Sequence, residues 1–135
     1  VRRPLRRDES GSMAVEVVIL TPVLMMFVML IAACGRYVAV QGDIQATARD
    51  AVRAASLERT VDAAHVAATR IVQQSLDDGT TCRPLGLSGF AAGGVVRVDL
   101  DCEVSYRGLG LIGLPGSVRV QTMSQAPIDI YRRTG

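Results

Sequence analysis

The sequence predicts an α+β protein: a single N-terminal transmembrane helix continuing into an extracytoplasmic helix, a second amphipathic helix, then a small antiparallel β-sheet. Three observations predict it. Residues 17–34 form an uncharged apolar run. Apolar residues then recur at three- and four-residue steps as far as Leu76, the spacing of a helix face. From Val96 the period drops to two, the spacing of a strand with one buried face. The expected boundaries are a basic cytoplasmic leader over 1–11, a transmembrane helix over 12–34, a helical region over 35–78 and a β-rich region over 79–135. The last two form one small domain.

Of 135 residues, 49% are hydrophobic, yet there are only two Phe, three Tyr and no Trp. The apolar content is therefore aliphatic, and much of it sits in the early run. Without that run about 100 residues remain, near the small end of what buries a core unaided. The net charge is +2, and its bias is local: Arg2, Arg3, Arg6 and Arg7 crowd the start. Elsewhere basic residues are interspersed with acids, so no nucleic-acid partner is expected.

From Val17 to Cys34 the chain reads VVILTPVLMMFVMLIAAC. With Met13, Ala14 and Val15 it reaches the roughly 20 residues that span hydrocarbon at 1.5 Å each. A soluble amphipathic helix would carry a polar stripe; here Thr21 stands alone. Pro22 lacks an N–H and is expected to kink the helix, which membrane helices tolerate. The leading arginines favour a cytoplasmic N-terminus, with the C-terminal domain outside the cell membrane. Arg36, Arg49 and Arg53 on the far side weigh against them.

Glu16 opens the run. A carboxylate at bilayer centre costs on the order of 3 kcal/mol, and less at a helix end. One reading is an acid in the headgroups that complements the helix N-terminus. The other is an acid that guides association at membrane level.

Gly11-Ser12-Met13-Ala14-Val15-Glu16 resembles the prepilin-peptidase site of type IV pilin-like proteins, a Gly followed at the fifth position by Glu. Together with Pro22, Gly35-Arg36 and the run from Ala48 to Ala55 (ARDAVRAA), it resembles the TadE-like family. The likeness covers residues 11 to about 57, a motif-level reading. Val17 departs from the pattern, since Tyr often follows the Glu in pilins of this system. The resemblance implies a minor pilin or pilus-assembly component of a tight-adherence type secretion system. Its implied partners are the bilayer, other pilin-like subunits, secretion-system membrane components and a prepilin peptidase. A cut between Gly11 and Ser12 would leave a free α-amine, positively charged near pH 7, that could neutralise Glu16 of a neighbouring subunit.

Beyond Arg36 the helix becomes amphipathic. Val40, Ile44, Ala48, Ala51, Val52 and Ala55 make one face, with Gly35 and Gly42 as expected weak points. Thr60 is placed to cap a second helix, whose face comprises Val61, Ala64, Ala68, Ile71, Val72 and Leu76 and which ends near Asp77-Asp78-Gly79. Val96, Val98, Leu100, Cys102, Val104 and Tyr106 alternate with polar residues in the clearest strand. Val118, Val120, Thr122 and Ser124 suggest a second, running to about Gln125 and stopped by Pro127. The connection from Gly108 to Gly116 is too short for a helical crossover, so the pair is antiparallel. Its Leu109, Leu111, Ile112 and Leu114 need a cover: the helices, a partner or the membrane surface.

Outside the cytoplasm thiols are oxidised, which makes Cys82 and Cys102 natural partners. The alternative is two free cysteines, one packed as a small hydrophobe. Cys34 carries a rival identity, because Ile31-Ala32-Ala33-Cys34 resembles a lipobox. A lipidated envelope protein cleaved before Cys34 is thus one alternative, and an unprocessed membrane-anchored binding protein another. The long run, Pro22 and the helix that follows speak against the lipoprotein. No catalytic residue, cofactor or metal site is expected. His65 reads as a surface side chain, and Asp99 and Asp101 as solvated carboxylates on the wet strand face.

Overall fold

The computed structural model describes residues 10–107, 113 and 115–131. The basic leader arginines and Leu109, Leu111, Ile112 and Leu114 lie outside the described residues. The elements are α1 (Ser10–Leu57), α2 (Val61–Ser75), β1 (Thr80–Cys82), β2 (Gly86–Ser88), β3 (Val95–Ser105) and β4 (Ser117–Pro127). The chain divides into two compact units, Val1–Gly35 and Arg36–Gly135.

α1 stays helical through Pro22, Gly35 and Gly42. The two glycines therefore do not end the helix, although each is an intrinsically poor helix former. α2 begins as its sequence requires. Thr60 has extended backbone (φ −124°, ψ 153°), and its hydroxyl accepts from the Ala63 N–H at 3.2 Å. That satisfies one of the amides a helix start leaves without an internal partner. Asp62 adds a carboxylate to the positive first turn. Leu76, extended at φ −104° and ψ 139°, ends the helix.

β3 is the centre of the sheet. β4 pairs with it antiparallel over its full length, from Val95↔Pro127 to Ser105↔Ser117. Because β4 occupies one edge of β3, β1 and β2 share the other. β1 pairs Cys82 with Cys102, and β2 pairs Gly86 with Asp99. Four steps on one side thus match three on the other, so one extra residue sits at Pro84–Leu85. This is a β-bulge, and it accommodates a proline that has no N–H for a regular ladder. The sequence reading missed both short strands.

The second unit has two layers. Ile44, Ala48, Ala51, Val52 and Ala55 of α1, with Ala64, Ala68 and Val72 of α2, share one buried cluster with Val96, Val98, Leu100, Cys102, Val104 and Val120 of the sheet. The helices contribute mostly small residues to this cluster and the strands mostly branched ones, which together fill it. Thr47 is buried beside Ala48, which a hydrophobic pattern does not reveal. Of the expected α2 face, Val61 is exposed and Ile71 and Leu76 are partly buried. The face is narrower than its periodicity suggests.

Candidate functional site

Asp101 receives Arg119 at 3.1 Å and Arg83 at 3.5 Å. Its carboxylate is thus balanced by two guanidiniums across the wet face of the sheet. Asp99 lines the same shallow depression of about 570 Å³, with Arg83, Gln121 and Met123. Among the described residues, no three His, Cys, Asp or Glu side chains come together as a metal site would require.

His65 is more than a surface side chain. It is exposed by area, yet its Nε2 donates to the Leu85 carbonyl at 3.2 Å. Leu85 sits on the bulge, so this bond fastens α2 to the β1–β2 edge. A single-residue reading could not find it, because the acceptor is a main-chain atom 20 residues away.

Cys82 and Cys102 are joined by a disulfide, as the expected oxidising environment implies. Cys34 is a free, exposed thiol.

The other candidate residues lie on the first part of α1. Gly11 and Ser12 fall in its first turn, and Glu16 is exposed a turn further on. From Ala14 to Ala32 every side chain is exposed within the unit, including Val18 at 72% and Ile31 at 69%. The most apolar stretch of α1 has a mean hydropathy of 2.8 and is not buried at all. A soluble core helix would hide such a surface. Apolar area in water is unfavourable by about 25 cal/mol per Å², and no polar stripe relieves it. Thr21 does not interrupt the apolar surface with an unmet hydroxyl, since its Oγ1 donates to the Val17 carbonyl at 2.7 Å. Serine and threonine commonly bond this way in membrane helices. Pro22 withholds the N–H that would otherwise reach the Val18 carbonyl.

The class is therefore an α+β protein with one apolar N-terminal helix suited to anchoring it in a membrane. Comparison with known families narrows this. Residues 11–53 match the family described as TadE-like protein, so the first part of this chain, including the apolar run and the start of the buried helix face, is similar to that family. α2 and the sheet lie beyond the match. No curated protein and no solved structure matches the chain.

Proposed function

We propose that this chain is a single-pass minor component of a tight-adherence pilus or secretion assembly, acting by subunit association rather than by chemistry. The observation that carries the reading is a coincidence. The TadE-like match, residues 11–53, takes in the whole of the exposed apolar stretch, residues 14–32. The N-terminus lies in the cytoplasm and the α+β domain outside, in keeping with the positive-inside bias of the leader. The Cys82–Cys102 disulfide suits an extracytoplasmic domain.

In this reading Glu16 sits at the membrane boundary and guides side-by-side contact with pilin-like subunits. In hydrocarbon, a carboxylate and a cationic amine are each costly alone and favourable as a pair. Cleavage between Gly11 and Ser12 by a prepilin peptidase would create that amine. The leader arginines and the acid five positions beyond Gly11 support this step, while Val17 departs from the pilin pattern.

Mass spectrometry of the protein from its native membrane tests the reading. A mature N-terminus at Ser12 is the result expected. An intact leader would remove the cleavage step and leave an unprocessed TadE-like assembly component. A diacylglyceryl group on Cys34 would replace the pilus reading with an envelope lipoprotein. Recovery of the full-length chain in the aqueous fraction without detergent would overturn the anchor itself.

A further inference from the structure

Three segments of chain meet at one end of the second unit. Arg36 and Val40, at its start, line a depression of about 320 Å³ with Asp77, Gly79, Thr80 and Val104. The Ser105 N–H donates to the Gly79 carbonyl at 3.0 Å, and the Thr80 N–H to the Asp77 carbonyl at 2.9 Å. The turn that follows α2 and the last residues of β3 therefore lie beside the first residues of the unit. Arg36 stands only two positions past Cys34, where the apolar run stops. β3 is 11 residues long, so its start at Val95 lies roughly 33 Å from this end at ~3.3 Å per residue.

The β3–β4 connection departs from the same end. Beyond the last ladder pair, Ser105↔Ser117, the Tyr106 N–H donates to the Gly116 carbonyl at 3.0 Å. The Tyr106 ring lies over Gly116, where a Cβ would fall 2.7 Å from it. Both ends of the connection are thus clamped to the sheet. In sequence, residues 108–116 carry no charge and include Leu109, Leu111, Ile112 and Leu114. The helices do not cover the described part of it. Gly113 and Pro115 are exposed, and a Cβ at Gly113 would meet no atom within 4 Å.

We infer that this end of the domain rests on the lipid surface that the anchor enters, with the β3–β4 connection set into the interface. Continuity with the apolar run selects lipid as the occupant. Val38, 65% exposed, carries the apolar surface of α1 past Arg36. Tyr37 and Tyr106 are two of the three tyrosines, and tyrosine favours the boundary between hydrocarbon and water. Arg36 and Arg107 are matched at this end by Asp77 and Asp78, so apolar contact rather than charge holds the surface down. A zwitterionic bilayer then serves as well as an anionic one. The inference rests on the membrane-anchor reading and adds a second hold on the bilayer to it.

The test uses the full chain in phosphatidylcholine vesicles, with an environment-sensitive fluorophore on one thiol at a time. Cys82 and Cys102 are bonded to each other and stay unlabelled. Native Cys34 reports the anchor. In a Cys34→Ser background, Pro115→Cys reports the connection, and exposed Ala92→Cys reports the opposite end of β3. Gly113→Cys repeats the measurement nearer the middle of the connection. Nitroxide-bearing lipid should quench the labels at 115 and 113 several-fold more than the label at 92. Iodide in the water should rank them in reverse, and added anionic lipid should leave both rankings unchanged. Quenching by lipid at 115 and 113 no greater than at 92 would overturn the inference. So would labels there shielded from both quenchers, which would put protein rather than lipid over the connection. The label on Cys34 separates the two readings. Lipid quenching at Cys34 alone sinks the second hold and spares the anchor, whereas its absence at Cys34 sinks both.

Discussion

Cys82 and Cys102 stand directly opposite each other in the β1–β3 ladder and are bonded, Cys102 fully buried and Cys82 partly so. β1 is only three residues long, and a strand so short holds its place weakly by backbone hydrogen bonds alone. The disulfide pins it, and with it the start of the bulged edge.

Replacing both cysteines with alanine should therefore destabilise the α+β domain by about 3 kcal/mol, the chain-entropy value for a loop of this length. Thermal unfolding of the full chain in mild detergent, followed by near-ultraviolet circular dichroism, measures it. An unchanged midpoint would mean that the bond adds nothing to the packed sheet.

His65→Ala removes the side chain that reaches the Leu85 carbonyl and leaves that acceptor to water. The expected loss is about 1 kcal/mol, the usual net value of one such bond. Faster hydrogen exchange should be confined to α2 and the bulged edge. Uniformly faster exchange would show that the bond holds the whole domain rather than one junction.

Ala48 and Ala68 are fully buried between helix and sheet. Ala48→Leu or Ala68→Leu should destabilise the domain by about 1–3 kcal/mol through overpacking. Exposed Ala46→Leu on α1 is the control and should change stability by less than about 0.5 kcal/mol. Equal effects at all three positions would contradict the assigned helix face.

Gly89 has φ +73°, and a Cβ there would collide with the Val95 carbonyl. The clash is with backbone, so no side-chain rotation relieves it. Gly89→Ala should cost about 1–3 kcal/mol, read as a lower unfolding midpoint.

Glu16→Gln tests the assembly role. Membrane insertion should be unchanged, because the amide is no harder to place at a helix end than the acid. If the proposed association holds, recovery of the chain in a crosslinked membrane complex should fall several-fold. Equal recovery would leave Glu16 as a headgroup residue only.

Much of the fold was legible because helices and long strands announce themselves locally. The face from Ile44 to Ala55, the cap at Thr60 and the alternation from Val96 each lie within a short window of chain. β1 and β2 were not legible. Each is three residues long, too short for a period, and each exists only because β3 supplies its hydrogen bonds. The partner of His65 was not legible for a similar reason, since nothing near it in the chain marks the Leu85 carbonyl as its acceptor.

By itself the sequence determined where the chain is greasy, where it is amphipathic and where it alternates, because those properties depend on neighbours within one or two turns or pleats. Only the tertiary structure decided between a bonded and a free Cys82 and Cys102, and showed that Pro84 lies in a bulge and that α2 is tied to it. Each of these joins residues distant in the chain, and it is packing on a shared core that brings such residues together.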